Sequence, residues 1–299
     1  MVLTALGLEY EAFRNHLSEL HRVLHAGTIF EVGVLTGTDH SVALAEVGAG
    51  NRPTAVATER ARQHLDAWAV LFVGVAGALK SDLALGDVVV ASRVYAYESA
   101  KHTSAGTLPR PQSWPSSHML AQAARHALRG RDWHARVPGN VRLLWKENGP
   151  VVHFKPIAAG EAVLNTLKGA VRQQLERTFE DAAAIEMEGA GLAEAASLGG
   201  MDALVIRGLS DYADGAKAAA DAAGTQPLAA AHAAAAAAAV IAALPSGPPG
   251  ARSGAAPARL GSTGGPVQVN TALTHGTVNA VQKGSMVIRQ SPPPLPPGA

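Results

Sequence analysis

Ala184-Ile185-Glu186-Met187-Glu188-Gly189-Ala190-Gly191, followed downstream by Arg207-Gly208-Leu209-Ser210-Asp211, is the stretch on which fold and chemistry turn. Ile185 and Met187 alternate with Glu186 and Glu188 in an extended run, so the two carboxylates share one side. A helix of small residues, Gly189 to Ser197, follows. Val205-Ile206 ends a short apolar run that reads as a buried strand, and Ser210-Asp211 sits just beyond it, where α/β sheets expose reactive loops. An Asp there reaches a ligand, and paired carboxylates suit the hydroxyls of a sugar. The same residues would also serve as solvated acids at a helix N-terminus with a capping Ser-Asp pair.

With 299 residues and 47% hydrophobic content, the chain can bury a full core, read as one domain of about 240 residues with something appended. A net charge of +1 and 4% aromatic residues argue against nucleic acid as a partner, since no basic run interleaves with aromatics. The chain has no cysteine. That rules out disulfides and thiolate metal sites and fits a reducing cytoplasm. Met1-Val2-Leu3-Thr4-Ala5-Leu6-Gly7 lacks the basic and long apolar regions of a signal peptide. The alanine-rich Ala229–Ala239 is too short for a membrane span and reads as the last helix of the domain.

Strand and helix signals alternate along the chain. Val2 to Leu6 reads as a strand and Glu11 to Leu24 as a helix, with further buried strands at Leu71-Phe72-Val73, Val88 to Ala91 and Ala203 to Ile206. This predicts an α/β fold, with a mixed, mostly parallel central sheet flanked by helices. Lys101 to Trp114, with Pro109 and Pro111, reads as a long loop able to close over a site. At Leu244 the character changes. Residues 245–265 are rich in Gly and Pro and read as a flexible linker. Residues 266–290 turn β-like, with Val267, Val269, Val278, Val281, Val287 and Ile288 set among Gln268, Asn270, Asn279 and Gln282; 291–299 is a Pro-rich tail.

Ala5-Leu6-Gly7-Leu8-Glu9, Gly48-Ala49-Gly50-Asn51, Gly74-Val75-Ala76-Gly77-Ala78-Leu79, Leu85-Gly86-Asp87-Val88-Val89, Ala159-Gly160-Glu161, Glu186-Met187-Glu188 and Ser210-Asp211 together carry a resemblance. Over residues 1–244 the chain resembles the purine nucleoside phosphorylase/nucleosidase superfamily. The branch it is most similar to is the methylthioadenosine/S-adenosylhomocysteine nucleosidases and related domains fused to bacterial signalling and immune proteins. The resemblance implies a nucleoside phosphorylase-like fold, a purine nucleoside or nucleotide as substrate, no cofactor or metal, and a homo-oligomer.

It also implies roles. Asp211 matches the acid that protonates purine N7, for which it must hold or share a proton through burial or a hydrogen bond such as one with Ser210. Glu188 matches the ribose-binding acid, and Met187 the residue packed on the sugar. Glu9 matches the group that activates the attacking water, a role suited to a carboxylate on the face opposite the leaving base. Val75, Ala76 and Gly77 of the glycine loop and Val163 complete the expected binding set.

Phosphorolysis is the rival chemistry. Phosphorylases of the superfamily hold phosphate with an arginine near the first strand and an Arg–Ser pair around the glycine loop, where this chain has Glu9 and Val75. A negative Glu9 would repel phosphate, so hydrolysis is expected. A further alternative is a scaffold that binds a ligand without turning it over. Ala159 and Glu161 replace a frequent Ser and Asp, and Val163 lies where an aromatic often stacks on the base, which weakens stacking. His102, His118, His126, His134 and His153 show no metal-ligand spacing. Lys80, Lys101 and Arg110 read as solvated surface, and Arg207 as a positioning partner of Glu186 or Glu188.

Val267-Gln268-Val269-Asn270-Thr271, Gly276-Thr277-Val278-Asn279 and Val281-Gln282-Lys283-Gly284 have the alternation of stacked cross-β arches. They resemble short bacterial amyloid-signalling motifs, which implies a sensor protein sharing the motif as partner and an immune or cell-death effector role.

Overall fold

The computed structural model describes residues 1–65, 67–104, 106–145, 148–245 and 247. The described residues all fall in one compact unit. The expected signalling segment 266–290 and the tail 291–299 lie outside the described residues.

Strand β1 (Val2–Thr4) is wholly buried, and α1 (Gly7–Arg14) follows directly. The helix expected over Glu11 to Leu24 ends at Arg14. Leu17–His25 is instead strand β2, paired antiparallel with β3 (Thr28–Leu35). The spacing of Leu17, Leu20, Val23 and Leu24 fits a helix face, but Ala26 and Gly27, at φ 48° and 79°, make a tight hairpin turn between the two strands. Two left-handed residues in succession match the twist of paired strands, and the cross-strand ladder decides the outcome.

Next come β4 (Ser41–Glu46), α2 (Asn51–Leu65), β5 (Ala69–Ala78) and β6 (Val88–Ala96). The expected loop from Lys101 to Trp114 is structured. It holds the hairpin β7 (Ala100–Thr103) and β8 (Gly106–Pro109), then β9 (Gln112–Pro115), which pairs with β6. The prolines are tolerated because these short strands are edges that need few N–H donors. The chain continues through α3 (His118–Ala127), α4 (Gly139–Arg142), β10 (Val152–Ala159), α5 (Ala170–Thr178), β11 (Ala184–Glu186), α6 (Gly189–Gly199), β12 (Asp202–Asp211), α7 (Lys217–Ala222) and α8 (Thr225–Ala242). Ser210 and Asp211 are the last residues of β12 rather than a loop beyond it.

The main sheet has ten strands in the order β11-β10-β6-β12-β5-β1-β4-β3-β2, with β9 on β6. It is mixed. The run β4–β1–β5–β12 is parallel, as is β6–β10–β11, and β12–β6 joins the two antiparallel. Because β11 also pairs with β5, strands β5, β12, β6, β10 and β11 close on themselves. β5 carries only apolar residues and glycine because both of its faces are covered. On one face α8 packs with Phe13 of α1 and Leu120 of α3; on the other lie Ala57 and Ala61 of α2 with Ala190 and Leu192 of α6.

Helix α8 is long and apolar enough by composition to cross a membrane, with mean hydropathy 1.3, yet 72% of it is buried within this fold. Small side chains let it approach closely: a Cβ on Gly208 of β12 would lie 2.0 Å from the Ala229 carbonyl oxygen. Gly191 does the same for α6 against α2, where a Cβ would come 2.0 Å from the Asn51 oxygen.

Candidate active site

Arg207 is the largest fully buried side chain among the described residues. It sits on β12 with its guanidinium carbon 4.5 Å from the centre of the Phe72 ring. Its Nη2 donates to Glu186 Oε2 and, at 2.9 Å, to Glu188 Oε2. The sequence left open which of the two acids it meets; it meets both. Burial opposes its charge, but Glu186, Glu188 and Glu9 outweigh that and raise its affinity for the proton. A charged pair this deep holds only when its remaining donors and acceptors are well placed.

On the acid side they are placed by backbone, while Arg207 Nε and Nη1 are buried without a hydrogen-bond partner among the described residues. Glu186 accepts from the N–H groups of Glu188 (3.1 Å) and Gly189 (2.9 Å to Oε2), and Glu188 Oε1 accepts from Gly50 N–H at 3.0 Å. Glu9, in the first turn of α1, accepts from the N–H groups of Ala5 and Leu6 through Oε2 at 2.9 and 3.0 Å, and from Val75 N–H through Oε1 at 2.8 Å. Burial pushes the Glu9 carboxyl above the usual carboxylate range, against the opposing pull of Arg207 and these three donors. The Glu186 carboxyl is also raised by burial, with Arg207 opposing and Glu188 adding to the rise. Gly74 is required here: a Cβ on it would stand 2.4 Å from both Glu9 Oε1 and Arg207 Nη1.

At the other end of the same glycine segment stands Asp211, whose Oδ1 lies 3.1 Å from where a Cβ on Gly77 would be. Gly77 is three strand steps on from Gly74, about 10 Å, with Glu9 at one end of that span and Asp211 at the other. Asp211 Oδ1 accepts from Ala213 N–H at 2.9 Å, and Oδ2 from the Ser210 hydroxyl at 2.9 Å and Lys217 Nζ at 3.2 Å. Ala213 is itself left-handed, at φ 49° and almost fully buried. That conformation is unfavourable for alanine and is held by its surroundings.

All nine residues singled out by sequence, Glu9, Val75, Ala76, Gly77, Val163, Met187, Glu188, Ser210 and Asp211, line one cavity of about 310 Å³. Glu186, Lys217 and Gln226 line it as well. Val163 is 63% exposed, on the rim of the cavity. Glu161 stays out of the lining and accepts from Asn51 Nδ2 at 3.1 Å. Two histidines have ordinary partners: His153 pairs with Asp87 at 2.8 Å, and His134 meets the Pro150 carbonyl at 3.1 Å. A roomier cavity, about 610 Å³, lies between Tyr10, Ile29, Glu46, Arg52 and Arg60. Its lining holds no pair of buried acids, so the smaller cavity is the candidate site.

The sequence model of the phosphorylase superfamily matches residues 1–244. The chain is 28% identical over 197 residues to the ATP nucleosidase Cap17 of Escherichia coli (strain KTE188), covering 62% of this chain but 38% of that protein. It thus spans well under half the length of that relative. To the 5'-methylthioadenosine/S-adenosylhomocysteine nucleosidase of Chromohalobacter salexigens it is 30% identical over 222 residues, covering 71% of this chain and 83% of the relative. Among solved structures, the corresponding nucleosidase of Neisseria meningitidis, in complex with methylthio-immucillin-A, superposes with a TM-score of 0.66 at 24% identity. It covers 81% of this chain and 98% of that one, a likeness of fold.

Proposed function

Since the chain belongs to the phosphorylase superfamily, we propose that it hydrolyses the N-glycosidic bond of a purine nucleoside or nucleotide, with an adenine compound as the first candidate. The observation that carries this reading is Glu9: a buried carboxylate, fixed by three backbone N–H groups, facing the same cavity as Asp211. An anion at that position disfavours phosphate and suits a neutral water.

In the proposed reaction the purine lies at the Asp211 end and the sugar between Met187, Glu188 and Glu9. Asp211 gives its proton to purine N7, so the base takes up the electrons of the breaking C–N bond and leaves neutral. Glu9, its proton affinity raised by burial, takes a proton from the water that attacks the anomeric carbon. Glu188 accepts from ribose hydroxyls, and that bond strengthens as the sugar gains positive charge. Arg207 touches no substrate in this scheme. It positions Glu188 and Glu186 and offsets the charge of three neighbouring acids.

The test is to incubate the protein with adenosine, methylthioadenosine, S-adenosylhomocysteine, AMP and ATP and identify products by mass. Free adenine from at least one of them supports the reading. No base from any overturns it.

The Cap17 relative is an ATP nucleosidase, and we infer an effector role for this chain in the cytoplasm, as a homo-oligomer. Its domain 1–244 would be tethered by 245–265 to a segment, 266–290, that assembles with a like segment of a sensor protein. That segment alternates Val with Asn and Gln, a composition suited to backbone ladders between identical strands. A peptide of residues 266–290 is expected to form fibres with roughly 4.7 Å strand spacing. A peptide that stays monomeric at high concentration, alone or seeded, contradicts the assembly.

A further inference from the structure

Lys217 was not among the residues singled out by sequence, yet it lines the cavity beside Asp211. Its ammonium lies 3.2 Å from Asp211 Oδ2, and the same oxygen accepts from the Ser210 hydroxyl at 2.9 Å. A carboxylate oxygen offers two lone pairs, and these two donors occupy both. The other oxygen, Oδ1, accepts from Ala213 N–H and keeps one lone pair, the place for the proton that passes to N7.

That arrangement bears on the edge of the purine next to N7. A 6-aminopurine presents a donor there and needs a free acceptor; a 6-oxopurine presents an acceptor and needs a donor. Lys217 is a donor with no acceptor capacity. While it rests on Asp211 it leaves the amine no acceptor on Oδ2 but offers a charge-assisted hydrogen bond to a 6-carbonyl. It also has a second place to go. Asp221, one helical turn on along α7, lies 3.5 Å from the same nitrogen, and the Lys217 side chain is 30% exposed. With the ammonium drawn toward Asp221, Oδ2 of Asp211 regains a lone pair for a 6-amino group.

We propose that Lys217 is a specificity-determining residue which admits 6-oxopurines as leaving bases at this site alongside 6-aminopurines. The proposal rests on the nucleosidase reading and extends its substrate class. The reaction is unchanged: the water oxygen bonds to the anomeric carbon, the C–N bond breaks, and the base departs with a proton on N7. Lys217 donates a hydrogen bond to the 6-oxygen throughout and transfers no proton.

The experiment compares inosine with adenosine, which differ at position 6, in the full chain and in Lys217→Met and Lys217→Gln. Base release gives kcat/KM, and calorimetry gives the affinities of free hypoxanthine and adenine. The expected result is release from both nucleosides by the native chain. In Lys217→Met the inosine-to-adenosine ratio of kcat/KM should fall at least tenfold, and hypoxanthine affinity should fall by a similar factor while adenine affinity holds. Lys217→Gln, which keeps a neutral donor, should fall in between. A ratio and base affinities unchanged in Lys217→Met overturn the proposal, as does failure of the native chain to bind hypoxanthine. Base discrimination that depends on Lys217, without hydrolysis of any nucleoside, would support the proposal and contradict the nucleosidase reading. Hydrolysis without discrimination does the reverse.

Discussion

Asp211→Asn should lower turnover by on the order of 10²-fold or more, with the fold intact. Asparagine preserves the shape of the side chain, and its carbonyl can still accept from Ala213 N–H, the contact that holds the turn after β12. What it loses is the transferable proton. Without protonation at N7 the purine must leave as an anion, which raises the barrier to bond cleavage whatever the sugar end of the site does. The check is kcat on the best substrate together with circular dichroism of the variant. Turnover near that of the native chain in a folded variant would remove Asp211 from the mechanism.

The second large effect is on stability. Arg207→Met keeps an apolar chain against Phe72 but strips the counter-charge from Glu186 and Glu188, both almost fully buried. Breaking a buried ion pair by removing one partner typically costs about 3–5 kcal/mol, because the charge left behind is unpaired in a low-dielectric interior. In a domain of this size that lowers the melting temperature by roughly 10 °C. Thermal unfolding of the variant measures it. A melting temperature within a degree or two of the native chain would mean that the three acids do not depend on Arg207, and that its place at the centre of the site is incidental.

The residues that share the cavity were more legible in the sequence than the path of the chain. Glu9, Glu188 and Asp211 come from three distant segments, but each sits in a short pattern whose residue types are tied to the chemistry. The buried strands β5 and β12 were legible because an uninterrupted apolar run covered on both faces has few other uses. The β2–β3 hairpin was not, since Leu17, Leu20, Val23 and Leu24 satisfy a helical period too, and only pairing across the Ala26-Gly27 turn distinguishes the two. The β7–β8 hairpin was hidden by its prolines, which suit an edge as well as a loop. Lys217 was missed for a geometric reason. Its place beside Asp211 depends on the turn between them, where Ala213 and Gly215 adopt φ 49° and 96°, and sequence spacing carries no trace of that reversal. Arg207 was recognised as a partner of the acids, but its reach to both Glu186 and Glu188 follows from the closure of β5, β12, β6, β10 and β11 into one ring of strands.

We propose that water, activated by Glu9, is the nucleophile in this cavity. The most direct measurement is the identity of the sugar product when the protein turns over its best substrate in saturating inorganic phosphate. Free sugar and free base are expected, at the same rate with and without phosphate. A sugar 1-phosphate as the product, formed only when phosphate is present, would contradict it.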